Sequence, residues 1–358
     1  MEKKNEISAL SVAFIIIGAL FGAAFASGQE VLKFFGAYGN WGIPGFAVCF
    51  LLYLVFGYMV YELSRVRSSG KMEEIVAPTD NIIIKKIIGW IMLFCFAVVV
   101  IALFAAGDAL FAGRTPLPKG VGGLLIAIPV VVTNIVGFEG IKKVFPKIVP
   151  AMLIIMLVIT LTIVFCSEQV PPVNPGKYMS PLAPNWLLGA ILYVSYNSLA
   201  TIPIFSSLPK TEELKKKVIP GMFLGFLGTC VFGLLLYFAV MTDVDAAGQY
   251  DLPMVYLCGK LSPVVSVVYS LLMVAAIYSA ASNCLYGLTK ELKRENPKKR
   301  ILTISLIGAT AYLVSLAGFS QLVTYVYPIQ GYACILVIAC VIITFMKYAN
   351  PLGKKMKK

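Results

Sequence analysis

The chain has 358 residues, 59% of them hydrophobic and 13% charged, with a mean hydropathy of +0.88 and a formal net charge of +13. A soluble domain of this length cannot hide so much apolar surface, so lipid must cover the rest; the basic residues fall in short clusters between apolar runs, the pattern of membrane topology rather than of a nucleic-acid-binding face. Histidine is absent, which excludes histidine metal sites, Ser-His-Asp triads and histidine proton relays.

A spanning helix needs about 20 apolar residues, and ten runs qualify, at roughly 8–35, 41–63, 86–112, 120–138, 148–166, 186–207, 218–242, 262–288, 301–318 and 321–346. The opening MEKKNEISALSVAFIIIGAL joins a basic head to an apolar run that continues too far for a cleaved signal, and it reads as a retained first helix. With the N-terminus in the cytoplasm, inside segments hold 25 of the 30 Lys and Arg residues; the outside segments hold only Lys33, Arg114, Lys119, Lys177 and Lys260. That alternation predicts both termini in the cytoplasm. The longest outer connections are 167–185, rich in proline, and 243–261, which carries Asp243, Asp245 and Asp251. Each reads equally as a solvated connector or as a cover folded over the outer vestibule. Eight cysteines are scattered without a CxxC pair. Cys166 and Cys258 both fall near the outer face, and spacing alone does not decide whether they join.

The predicted fold is an all-α membrane protein of about ten transmembrane helices in a 5+5 inverted repeat. Residues 1–166 form the first five-helix unit, 167–185 the outer connector, 186–346 the second unit and 347–358 a basic cytoplasmic tail. Five is odd, so a second copy must start on the opposite face, a recurring transporter plan. The first helix of each half is expected to be interrupted. Helix 1 reads IIIGALFGAAFASGQEVLKFF, with Gly18, Gly22 and Gly28 followed by Ser27, Gln29 and Glu30 at membrane depth. As one helix from Ser8 to Phe35 it would run about 42 Å, against a hydrocarbon core of about 30 Å. Helix 6 carries Ser195, Asn197, Ser198 and Thr201 in its middle, then Pro203, which removes a backbone donor. Backbone groups freed at such breaks must be met by solute, ion, water or protein. The competing reading is close glycine packing with hydroxyls bonded back to their own helix.

The stretch GALFGAAFASGQEVLKFF resembles the first-helix signature of YkvI-type bacterial membrane proteins, and length and layout extend the resemblance over the whole chain. More distantly the chain resembles the LeuT-fold transporters of the amino acid–polyamine–organocation superfamily. That resemblance implies a bacterial cell (inner) membrane protein with solute held at the breaks in helices 1 and 6, here Gly22, Phe25, Ser27, Gly28, Glu30, Tyr196, Asn197, Ser198 and Thr201. It also implies a sodium ion, the only cofactor expected, bound by backbone carbonyls of Ala23, Ala26 and Ser279 and side-chain oxygens of Ser282 and Asn283. Ser279, Ser282 and Asn283 stand at i, i+3 and i+4, on one helical face, and oxygen ligands suit a hard cation; a hydroxyl-rich packing face is the plain alternative. Lys33 stands where related symporters carry an outer-gate arginine. Helix 10 has no aspartate to meet it, and Asp108 is the substitute by topology.

Glu30 is the sharpest residue, because a carboxylate inside a membrane helix is costly and faces a cavity or a partner. It can bind a cationic group of the solute, carry a proton, or pair with Lys33. The function predicted is secondary active transport of a small polar solute, an amino acid or related amine, by alternating access coupled to Na+ or H+. The alternative is a non-transporting membrane sensor or assembly factor that keeps the fold. No catalytic constellation, Walker motif or repeated filter segment occurs, so neither an enzyme nor a channel is expected. The expected partners are solute and membrane lipid, not nucleic acid.

Overall fold

The computed structural model describes residues 8–67, 72–113, 117–136, 141–208, 211–289 and 296–348. The basic tail beyond 348, Lys3, Lys4 and Glu139 lie outside the described residues. The described residues are helical or loop, with no strand among them.

The first apolar run is three helices: α1 (Ala9–Leu20), α2 (Ala23–Ala26) and α3 (Gln29–Phe34). A 3₁₀ turn, Gly36–Trp41, leads into α4 (Gly42–Val66); α5 (Met72–Val76) is short, and α6 (Ile82–Ala112), α7 (Val121–Val136) and α8 (Ile141–Cys166) complete the first half. The second half holds α9 (Trp186–Ser207), α10 (Glu212–Met241), the short α11 (Val244–Ala247) and α12 (Pro253–Leu261), α13 (Pro263–Thr289), α14 (Pro297–Ser315), α15 (Phe319–Gln321) and α16 (Tyr327–Tyr348). A single π-helical turn, Leu322–Val326, joins α15 to α16.

Helical segments thus stand at every place where an apolar run was expected. Six segments among the described residues are long and apolar enough to cross a membrane: Gly36–Val66, Ile82–Ala112, Trp186–Phe205, Leu214–Met241, Pro263–Thr289 and Phe319–Tyr348. Their outward faces carry large apolar side chains at mid-helix, among them Leu51, Leu271 and Leu336, each at least 60% exposed. Water would penalise such a surface and lipid does not. The chain is a multi-pass membrane protein.

Bilayer lipid supplies little hydrophobic drive between helices, so close packing holds them. α1 lies along α10 because Gly221, Gly225 and Gly228 of α10 line the contact; a Cβ on Gly225 would stand 2.9 Å from Ile16 Cβ, and one on Gly221 2.6 Å from Val12 Cβ. The other large interfaces join α4 to α9, α6 to α13 and α9 to α16.

The expected interruption of helix 6 is not found. α9 runs unbroken through Asn197 and Pro203. Its polar side chains bond back to their own helix: Ser195 Oγ donates to Ile191 O (2.7 Å), Asn197 Nδ2 to Tyr193 O (3.0 Å) and Thr201 Oγ1 to Ser198 O (2.7 Å). The competing reading holds there.

The two long connections, 167–185 and 243–261, bond to each other, while most of residues 168–177 stay exposed. Val173 N donates to Asp245 Oδ2 (2.7 Å), Lys177 pairs with Asp245 (2.8 Å), Tyr178 OH donates to Asp245 O (2.8 Å) and Val170 N to Thr242 O (2.7 Å). Tyr38 OH from the 3₁₀ turn donates to Ala183 O and ties this cover to helix 1. Cys166 is exposed, Cys258 is buried, and both are free thiols, so they do not pair.

Candidate solute-binding cavity

The break in the first helix follows from its residues. Phe21 leaves the helical region at φ −81°, ψ 68°, and its N–H closes α1 on Ile17 O at 2.7 Å. Gly28 takes a left-handed φ of 80°, which only glycine adopts without strain, and a Cβ there would meet Met254 Cγ at 2.9 Å. The freed backbone groups find protein partners. Tyr269 OH donates to Ala26 O (2.7 Å), Met254 N to Ser27 O (3.0 Å) and Ser27 Oγ to Ala24 O (2.6 Å), while Ser27 Oγ accepts from Gln29 N (3.1 Å). Gln29 Nε2 reaches Ser320 Oγ at 2.7 Å.

Beside this break lies a cavity of about 540 Å³. Gly22, Ala24 and Glu30 line it from the break, Tyr196 and Asn197 from α9, Ser279 and Asn283 from α13, and Tyr327 and Gln330 from α16. Cys95, Leu103 and Phe96 of α6 and Met152 and Met156 of α8 supply apolar wall. The lining residues of α9 and α13 come from their C-terminal halves, away from the outer cover. The space is as large as typical ligand pockets, which run from about 300 to 1,000 Å³.

Of the expected solute contacts, Gly22, Glu30, Tyr196 and Asn197 line the cavity. Phe25, Ser27, Gly28, Ser198 and Thr201 do not. Ser27 and Gly28 build the break, Thr201 bonds back to the Ser198 carbonyl within α9, and Phe25 packs edge-on against Phe21 at 5.3 Å. The expected sodium ligands divide. Ser279 and Asn283 line the cavity, whereas Ser282 is fully buried off its wall, its hydroxyl without a hydrogen-bond partner and its backbone carbonyl accepting from Asn134 of α7 (3.4 Å). The Ala26 carbonyl already accepts the Tyr269 hydroxyl. Nothing is described of the side chain of Ala23, whose backbone opens α2.

Glu30 is 5% exposed and makes no ion pair with Lys33. The Lys33 ammonium lies instead over the Tyr178 ring, 5.8 Å from its centroid, and the acid whose charge acts on it is Asp251. Asp108, the expected gate partner, is spent on the start of α7, accepting from Gly120 N (2.8 Å) and Gly123 N (3.3 Å). Tyr196 faces Glu30, yet its hydroxyl has no hydrogen-bond partner of ordinary geometry, and neither does Gln330 Oε1. The Tyr196 and Tyr327 rings stand 5.1 Å apart, and Gln330 follows Tyr327 by one turn on the same face. Tyr327 and Gln330 had not been singled out; an amide inside the apolar run VYPIQGYACILV was the signal available.

Fold and site together define a multi-pass helical membrane protein with a broken first helix and a polar-tipped cavity at the break. No family model matches the chain. It is similar to the uncharacterized membrane protein YkvI of Bacillus subtilis (strain 168), 26% identical over 335 residues, 92% of this chain and 94% of that protein. It is also similar to the uncharacterized protein YyaD of the same strain, 24% identical over 340 residues with the same coverage. The resemblance first seen in GALFGAAFASGQEVLKFF therefore extends over nearly the whole chain. Among solved structures it matches a histidine-to-alanine mutant of the Eremococcus coleocola manganese transporter, with a TM-score of 0.50 and 15% identity over 94% of this chain and 85% of that one. The same transporter in complex with an aromatic bis-isothiourea substituted compound gives 0.51 and 14%, with the same coverage. At that identity the likeness establishes shared fold.

Proposed function

We propose that this chain is a secondary transporter of a small amine-bearing solute, an amino acid or related amine, moved by alternating access through the cavity at the helix 1 break. The observation that carries the reading is Glu30: a buried carboxylate without a cationic side chain to meet it, at the wall of a ligand-sized cavity. The fold shared with a solved manganese transporter supports transport as the activity. Manganese itself fits this cavity poorly. Divalent hard cations want several carboxylate or carbonyl oxygens, whereas Glu30 is the only carboxylate on the wall and no metal-holding group of three His, Cys, Asp or Glu exists among the described residues.

The proposal retains ten spans arranged as two inverted units of five, with both termini cytoplasmic. In that orientation the cavity opens toward the cytoplasm beneath the closed outer cover. Proton coupling is favoured over sodium because the Tyr269 hydroxyl already occupies the Ala26 carbonyl. The test is uptake by purified protein in proteoliposomes, driven by a proton or a sodium gradient, with Glu30→Gln beside wild type. Gradient-driven uptake lost in the variant supports the reading. Ligand binding without flux under either gradient would replace it with the sensor reading.

A further inference from the structure

We infer that the solute is a monocationic amine that lacks a carboxylate and carries an apolar or aromatic body. The inference rests on the transporter reading of the cavity and narrows its substrate class. Three acceptors sit at the polar tip. The Glu30 carboxylate has no cation, the Tyr196 hydroxyl faces it without a hydrogen bond of ordinary geometry, and Gln330 Oε1 is buried without a hydrogen-bond partner. An alkylammonium group presents three N–H donors and no acceptor. It would neutralise the single charge at Glu30, and a side-chain movement of Tyr196 or Gln330, whose polar atoms are closed off in this conformation, would bring further acceptors to it.

The remainder of the wall has little for a carboxylate. No Lys or Arg lines the cavity among the described residues, and the chain has no histidine. One N–H of the Asn197 amide goes to Tyr193 O, and the other donors on the wall, among them Ser279 and Asn283, are neutral. The ends of the broken helix add to the same sign. Gly18 to Gly22 line the cavity at the C-terminus of the 12-residue α1, whose final carbonyls carry partial negative charge. The opposing positive end belongs to α2, only four residues long, so its dipole offsets little. A zwitterionic amino acid would place its carboxylate beside Glu30 and the α1 carbonyls, in a space walled by Leu103, Met152 and Met156 where repulsion is poorly screened. Aromatic rings of Phe21, Phe96, Tyr196 and Tyr327 complete the wall, and such faces attract ammonium groups and hold apolar bodies.

The test uses ligand pairs differing only by the carboxylate: 2-phenylethylamine with phenylalanine, and isopentylamine with leucine. Calorimetric titration and thermal unfolding of the purified wild-type protein should show each amine binding roughly tenfold or more tightly than its amino acid, the scale of one buried charge contact. Glu30→Gln, first checked for a monodisperse size-exclusion peak, should weaken amine binding about tenfold or more and leave the amino acids little changed. If that variant does not fold, Glu30→Asp keeps the charge and should bind amines with intermediate affinity. An amino acid binding as tightly as its amine, amine binding that survives Glu30→Gln, or no amine binding to folded wild type would each overturn the inference. The transporter reading fails separately: amine binding without flux sinks transport and leaves the substrate class standing, while amino acid flux does the reverse.

Discussion

Replacing Tyr269 with phenylalanine removes one oxygen and tests what occupies the helix 1 break. Tyr269 is fully buried, and its hydroxyl donates to Ala26 O at 2.7 Å. Without it that carbonyl loses a partner at the point where the helix cannot supply one in regular register. An unsatisfied buried acceptor costs about 1–3 kcal/mol, while hydrogen bonds between membrane helices average nearer 0.6 kcal/mol because relaxation finds substitutes. Gly28 in its left-handed conformation and the packed Met254 restrict such relaxation. The expected loss is therefore about 1–2 kcal/mol, a fall of roughly 1–3 °C in the unfolding midpoint of a chain this long. The assay is thermal unfolding of wild type and Tyr269→Phe in sodium and in potassium buffer. An equal fall in both is expected. If sodium restored the variant and potassium did not, a cation would be taking the Ala26 carbonyl, and the hydroxyl-for-cation reasoning would be refuted. An unchanged midpoint in both buffers would show that the bond contributes nothing.

Gly225→Leu should separate α1 from α10, because its Cβ alone would meet Ile16 Cβ at 2.9 Å and Ala13 Cα at 3.2 Å; a loss of about 2 kcal/mol or more, read as a broadened size-exclusion peak, is expected. Gly89→Leu, with nothing within 4 Å of its Cβ, is the matched control and should behave as wild type. The Lys177 ammonium, with the Val173 N–H, holds the Asp245 carboxyl below the usual carboxylate range. That contribution to the outer cover is complete above the ordinary aspartate value and lost as pH falls through the depressed one, so proteolysis of segment 167–185 should accelerate only in strong acid. Lys177→Ala should move that onset up toward the ordinary value. Cys166 is exposed and Cys258 buried. An impermeant maleimide added outside intact cells should label Cys166 and spare Cys258; labelling of Cys166 only after lysis would reverse the proposed orientation.

The bonded segments 167–185 and 243–261 adjoin the N-terminal ends of α9 and α13, whereas the cavity is lined from Tyr196 and Ala275 onward in those helices. Gln29 to Ser320 and Ser320 N to Asp251 (3.2 Å) bind the break to α15 and the loop before α12. Opening the outer side would require those bonds and the Tyr38 bond to Ala183 to part together. These contacts are polar and few, as the proposed alternating access would require of an interface that opens.

The sequence by itself determined the elements that depend on local chemistry. Apolar runs long enough for lipid must become helices, because no other open backbone is satisfied there. Gly22 and Gly28 with Ser27 mark a break because glycine enters conformations that end a helix. Glu30 announces a cavity because an unpaired carboxylate is too costly to face lipid. Only the tertiary structure decided where polar side chains on continuous helices turn. Asn197 and Ser195 satisfy themselves within α9, so their presence did not break it. Ser282 is buried off the cavity wall while Ser279 and Asn283, on nearly the same face, reach it. Lys33 lies over the Tyr178 ring rather than pairing with Glu30 or Asp108, and Gln330 joins the site from the far end of the chain. Hydropathy and periodicity are properties of one segment, whereas each of these partnerships is fixed by the rotation and register of one helix against another, which no single segment encodes.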